Sequence, residues 1–236
     1  MESPTDSSPL LTLRSVVKVY GEGEAAVRAL DGVNLAVHTG EFVAITGPSG
    51  SGKSTAMSIL GCLELPTDGS YLIEGVPVQD LAQDVLAALR NSRFGFVFQM
   101  FNLLSRTSAL ENVAMPLVYA GVPARERQRR AREALALVGL AGRENAHSNQ
   151  LSGGQQQRVA VARAIVNDPE IVLADEPTGN LDSKMGREIM DLLSRLNHER
   201  GITVLMVTHD PNSAKYAARE VRFHDGRIVS DDKQVA

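Results

Sequence analysis

The sequence predicts an α/β fold: a core of short parallel strands, a β subdomain before it and an α-helical subdomain inserted into it. Three observations carry that prediction. Gly47 to Thr55 reads GPSGSGKST between an apolar run and a helical one. Two further apolar runs, Ile171–Ala174 and Ile202–Thr208, lead directly into polar residues. From Leu110 to Val138 the apolar spacing turns from strand-like to helical. Short buried strands alternating with helices suit a parallel sheet covered on both faces.

Met1 to Pro9 is Ser/Pro-rich and acidic, and is expected to fray. Leu10 to His38 falls into β-like runs around a turn at Gly21–Glu24, the expected N-terminal antiparallel β subdomain. Glu41–Thr46 reads as a buried parallel strand, and Ser54–Leu63 as the helix after the glycine loop. Pro66–Gly69 is a turn, Tyr71–Glu74 a strand, Asp80–Arg90 a helix and Phe94–Phe98 a strand. In the insertion, Ala131, Ala134, Leu135 and Val138 recur at helical spacing, and Arg125, Arg127, Arg129, Arg130 and Arg132 fill the other positions. Glu126 and Glu133 interleave with these arginines, so a solvated face is expected rather than a lipid or nucleic-acid patch. Ser183–Arg200 is a helix with Met185, Ile189, Leu192, Leu193 and Leu196 on one face. After the strand Ile202–Thr208 come a helix near Pro211–Ala218 and a hairpin over Glu220–Ser230 turning at Asp225-Gly226. One domain is expected over residues 10–232, with the α/β core and β subdomain in 10–98 and 157–232 and the helical part in 99–156.

Composition excludes several classes. The 236 residues are 43% hydrophobic and 22% charged with a net charge of −4, as in an ordinary soluble protein. No apolar run reaches the roughly 18–20 residues of a membrane span, and no signal-peptide pattern opens the chain, so at a membrane another chain is expected to cross it. The single cysteine, Cys62, excludes an internal disulfide and fits a reducing cytoplasm; it reads as a small buried hydrophobe. No basic stretch faces aromatic residues, which argues against a nucleic-acid partner. His38, His147, His198 and His224 show no metal-ligand spacing.

The glycine loop matches the phosphate-binding pattern G-x-x-x-x-G-K-[ST]. Gly47, Gly50 and Gly52 let successive backbone N–H groups turn toward one phosphate chain, and Pro48, Ser49, Ser51 and Thr55 complete the loop. Lys53 supplies a point charge to the outer phosphates, and the Ser54 hydroxyl is placed to ligate Mg2+. Ile171–Ala174 ends in the adjacent carboxylates Asp175 and Glu176, which a strand's alternation lets do different work. Asp175 is expected to face the Mg2+ shell, and Glu176 to meet the attacking water as general base. His209, at the exit of the next strand, could hydrogen-bond the terminal phosphate or orient Glu176. Leu151–Gln155 reads LSGGQ before a helix: Ser152 can cap it while Gly153 and Gly154 expose its first N–H groups, a second anion site. Two such sites permit two separate ligands or one ligand held between two copies of the chain.

The glycine loop, Gln99 after Phe-Val-Phe98, LSGGQ, the Asp175-Glu176 pair, Asn180-Leu-Asp182 and His209, in this order, resemble the ATP-binding subunit of an ABC transporter. The resemblance covers nearly everything from Leu11 to Ser230 and implies a P-loop NTPase core of ABC type. It also implies an ATP hydrolase that binds ATP and Mg2+ in a head-to-tail homodimer. Each nucleotide would lie between the glycine loop of one subunit and Ser152, Gly153, Gly154 and Gln155 of the other. Tyr20 would stack on adenine, Gln99 would contact Mg2+ and water and link the site to the membrane partner, and Asp182 would carry information across the dimer. The runs Phe94–Leu104, Ala109–Val113 and Ser152–Arg158 resemble the macrolide-exporter (MacB-like) and lipoprotein-release (LolD-like) group. That implies a separate permease with few membrane helices and a large extracytoplasmic domain, a periplasmic adaptor, and a place on the inner face of the cell membrane. An importer ATPase, a cell-division ATPase of the FtsE type and a soluble ABC ATPase are the competing expectations. Ser105 and Met185 depart from the group's pattern, standing where proline and threonine are expected, and bear on the surface that meets the permease.

Overall fold

In the computed structural model, which describes residues 8–234, the alternating apolar residues after Leu10 form two long antiparallel strands, β1 (Leu11–Tyr20) and β2 (Val27–Val37). The segment expected to fray lies, at residues 1–7, outside the described residues. β3 (Phe42–Thr46) enters the middle of a second sheet, and α1 (Lys53–Leu60) follows the glycine loop. β4 (Asp68–Ile73) and β5 (Val76–Pro77) return to β1, giving a first sheet in the order β2-β1-β4-β5. Next come α2 (Gln83–Arg93), β6 (Phe94–Phe98) and the helical insertion α3 (Ala109–Tyr119), α4 (Ala124–Leu137) and α5 (Gly153–Ile165). The chain then forms β7 (Ile171–Asp175), α6 (Ser183–Arg200), β8 (Thr203–Val207), α7 (Pro211–Ala214), β9 (Arg219–His224) and β10 (Arg227–Lys233). The second sheet has the order β10-β9-β3-β8-β7-β6, parallel except for its edge strand β10.

Burial on both faces explains why the core strands lack a polar alternation. Phe42, Ala44, Val172, Ala174, Val204 and Met206 pack into the core shared with the inserted helices and α6. Their neighbours Val43, Ile45, Ile171, Leu173, Leu205 and Val207 face α1 and the first sheet. The insertion is held by its own apolar seam, in which Val113 and Leu117 of α3 and Ala131, Ala134 and Leu135 of α4 are buried. Its arginines divide: Arg129 is exposed and pairs with Glu126 and Glu133 on the same helix, whereas the half-buried Arg127 and Arg130 donate to the carbonyls of Val122 and Val166. Ser108 begins α3 with a reciprocal cap to Glu111, an arrangement worth about 1 kcal/mol. The division expected between residues 156 and 157 falls inside α5.

Three helices differ from expectation. α1 ends at Leu60 rather than Leu63, because Gly61 caps it and Cys62, at φ 54°, turns the chain into left-handed backbone. α2 starts at Gln83 rather than Asp80, because Val78–Asp80 forms a single tight turn that buries Val78, and Leu81 and Ala82 remain extended. α7 stops at Ala214 rather than continuing to Ala218, whose N–H donates to the Phe42 carbonyl as the chain turns to align β9 with β3.

Candidate active site

Parallel pairing aligns the carboxyl ends of four strands. Ile45 of β3 lies beside Val207 of β8, Val207 beside Asp175 of β7, and Asp175 beside Phe98 of β6. The segments leaving these strands therefore emerge along one edge in the order glycine loop, His209, Glu176 and Gln99, where ligands of open α/β sheets sit.

The glycine loop is packed against backbone on its inner side. Gly47 has φ +140°, and a Cβ there would stand 2.2 Å from the Phe223 carbonyl oxygen of β9. Gly52 has φ +101°, and its Cβ would stand 2.5 Å from the Ala29 carbonyl oxygen of β2. The conformation and the close approach both require glycine. Lys53 is buried, with Nζ donating to the carbonyls of Gly47 at 2.9 Å and Pro48 at 2.7 Å. The hairpin turn Asp225-Gly226 supports the loop from behind. Its two φ angles of 46° and 74° suit a tight hairpin, the Gly226 N–H donates to the Ser51 carbonyl at 3.0 Å, and its carbonyl accepts from Asp31 N–H at 2.9 Å. Arg28 and Arg227 both pair with Asp31 and fix this junction.

A cavity of about 820 Å³ opens over the loop, lined by Gly47, Lys53, Ser54, Thr55, Asp175, Glu176 and His209. Val27, Arg28, Asp225 and Gly226 also line it, residues whose sequence context reads only as strand and turn. Glu176 adopts φ 46°, left-handed backbone held by its N–H bond to the Val207 carbonyl at 2.9 Å. His209 Nδ1 lies 2.6 Å from Glu176 Oε1, and Thr208 Oγ1 donates to Oε2 at 3.4 Å. The carboxylate is mostly sheltered while the imidazole is exposed, so the ring reaches Glu176 from the solvent side. Ser54 and Asp175 bring two hard oxygen donors to the same cavity. That set fits Mg2+, which uses one or two carboxylates together with substrate phosphates and water. No cluster of three or more His, Cys, Asp or Glu residues forms a complete cage among the described residues.

Burial holds Asp175 above the ordinary carboxylate range, the Glu176 charge adds to the shift, and Lys53 opposes it. Folding thus favours protonated Asp175. The ionised group costs stability above its folded-state pKa, and the cost vanishes as pH falls below the unfolded-state value. Asp175→Asn is expected to raise Tm by about 2 °C at pH 7, with the advantage shrinking as the scan is repeated at lower pH through the ordinary Asp range. A variant that melts at or below the parent at pH 7 would contradict this.

The other candidate residues occupy separate positions. Gln99 packs over Gly179, where a Cβ would meet its Nε2 at 2.7 Å, and Asn180 Nδ2 donates to the Gln99 carbonyl at 2.9 Å. Asp182 caps α6, accepting from Lys184 and Met185 N–H at 2.9 Å each. Tyr20 is 40% exposed at the end of β1, with its hydroxyl donating to Glu64 at 2.7 Å. Ser152 caps α5, its Oγ accepting from Gln155 N–H at 3.3 Å while Gln155 Oε1 accepts from Ser152 N–H at 3.0 Å. None of Ser152, Gly153, Gly154 and Gln155 lines the cavity, so this helix end and the glycine loop are two separate places on one chain. Met185 lies over Gly154, whose Cβ would stand 2.8 Å from its Sδ, so this departure bears on the LSGGQ turn.

The family described as ABC transporter matches residues 30–179. An uncharacterised ABC transporter ATP-binding protein of Thermotoga maritima is 56% identical over 95% of this chain and 96% of its own length. The macrolide export ATP-binding/permease protein MacB of Hyphomonas neptunium is 54% identical over 97% of this chain, which spans 36% of that relative's length. A dimeric ATP-binding cassette solved in a post-hydrolysis state with ADP and Pi superposes with a TM-score of 0.88 at 47% identity, covering 96% of this chain and 99% of that one.

Proposed function

The chain belongs to the ABC transporter family of ATP-hydrolysing proteins, and on that premise we propose that it drives a membrane permease for export, efflux or lipoprotein release. The observation that carries the catalytic part is one cavity joining Lys53, Asp175 and Glu176, with the Glu176 carboxylate in contact with His209. ATP enters with its phosphates on the glycine loop and Lys53, and with its adenine beside Tyr20. Ser54, Asp175 and Gln99 are the groups that would hold Mg2+, which when bound neutralises phosphate charge. Glu176 takes a proton from the attacking water, and His209 orients the carboxylate. Ser152 to Gln155 of a second copy closes over the nucleotide, and Asp182 lies at that junction. The separation of α5's N-terminus from the cavity within one chain supports a site shared between copies.

The permease belongs on a groove of about 1100 Å³ between α2 and α3, lined by Leu63, Phe96, Phe98, Met115, Pro116 and Tyr119. Tyr119 is 78% exposed, and no helix among the described residues is long and apolar enough to cross a membrane. On this reading the permease holds the chain at the inner face of the cell membrane. Export is favoured by the match to a macrolide export protein across nearly the whole chain.

Gly179→Ala tests Gln99 directly, because the new methyl would displace its amide and leave the phosphate site intact. Turnover is expected to fall about tenfold, with KM for ATP nearly unchanged. Unchanged turnover would remove Gln99 from the site. The transport role is tested by recovering the tagged chain from native membranes in mild detergent. A permease of about four helices with a large extracytoplasmic domain is expected. A many-helix permease would indicate an importer, and repeated absence of a membrane protein a soluble ATPase.

A further inference from the structure

Phe101 (φ 57°) and Asn102 (φ 49°) are consecutive non-glycine residues in left-handed backbone, just beyond Gln99. Such a pair persists only where its surroundings enforce it. Here the enforcement comes from side chains remote in sequence. Arg163 of α5 donates to the Phe101 carbonyl at 2.8 Å and to the Asn102 carbonyl at 2.6 Å. Asn180 takes the Gln99 carbonyl. Gln157, also on α5 and fully buried, donates to Pro177 O at 2.7 Å and Phe98 O at 3.4 Å, while its own amide oxygen has no partner. Arg163 is half-buried on the wall of the groove between α2 and α3, burial pushes its guanidinium down, and no carboxylate pairs with it among the described residues. Its two N–H groups are instead given to the carbonyls of the strained turn. A guanidinium suits this task because its N–H groups form a planar, rigid fork.

We propose that Arg163 is a positioning residue for Gln99, holding the Phe98–Asn102 loop in its strained turn so that the Gln99 amide stays over Gly179. This rests on the role given to Gln99 above. α5 begins at the Ser152 cap, and Arg163 lies about 16 Å further along the same helix.

The chain has no tryptophan, and Met100, beside Gln99, is 72% exposed. Met100→Trp therefore gives a single fluorescent reporter on the loop. In that background, Arg163→Met is expected to lower kcat about tenfold, leave KM for ATP within about twofold, and lower the tryptophan anisotropy. Arg163→Lys should recover only part of each loss, because the shorter, freely rotating ammonium lacks the planar fork that reaches both carbonyls from one fixed position. Should Arg163→Met not fold, the exposed Asn180→Ala loosens the same loop from its other side and should lower kcat and anisotropy together, by about threefold in kcat. Unchanged kcat and anisotropy in Arg163→Met, with Gln99→Ala still lowering kcat at least about tenfold, would refute the clamp and leave the proposed function standing. Turnover unaffected by Gln99→Ala would instead remove the role of Gln99, and the clamp with it.

Discussion

Glu176→Gln is expected to lower ATP turnover by about a hundredfold to ten-thousandfold, the range a positioned general base contributes, while ATP affinity stays within a few-fold of the parent. The amide is nearly isosteric, and its oxygen can still accept from His209 Nδ1, which lies 2.6 Å from Oε1 in the parent. The left-handed backbone at Glu176 is held by the Val207 carbonyl and not by the side chain, so the loop keeps its shape. What is lost is the ability to accept a proton from water. Nucleotide that binds but does not turn over should hold two copies together, so light scattering in ATP and Mg2+ is expected to show a dimer. A variant that stays monomeric at high protein concentration would contradict the shared site, and one that keeps parental turnover would remove Glu176 as base.

Lys53→Ala is expected to act on the opposite quantity, weakening ATP affinity by about ten- to hundredfold, as loss of a charge-assisted hydrogen bond predicts. In the structure the ammonium group bonds only carbonyls of its own loop and approaches Ser51 Oγ at 3.5 Å, so its removal leaves no buried carboxylate stranded. The circular dichroism spectrum should match the parent. Lys53 also opposes the upward shift of Asp175, so the substitution should make that carboxyl still harder to ionise. Titration calorimetry with ATP and Mg2+ measures the affinity, and a parental Kd would exclude Lys53 from phosphate binding.

Local chemistry made much of the site legible. The fixed spacing of Gly47, Gly50, Gly52 and Lys53 is a property of one loop, and the Ser152 cap of one helix turn; both appear where the residues place them. The run Ser183–Arg200 forms a helix with the predicted bounds because its apolar face is continuous and Asp182 caps it. Helix ends set by tertiary packing were not legible: α2 yields its first turn to the burial of Val78, and α7 yields its end to the pairing of Ala218 with Phe42. The bonds from Arg163 to Phe101 and Asn102 join positions about sixty residues apart, and no periodicity in either segment announces them. Arg28 and Asp225 reach the cavity in the same way, carried there by strands whose own pattern says only that they are strands.

The dependence of the glycine loop on the β9–β10 turn has a consequence for how the protein is made. Gly47 lies under Phe223, and Ser51 is bonded to Gly226, so the parts of the nucleotide seat come from opposite ends of the fold. A nascent chain that has released only the loop, its strand and α1 from the ribosome still lacks the backing that shapes them. ATP competence thus waits until the chain has been released past residue 226, and a chain interrupted before that residue should be unable to hold nucleotide.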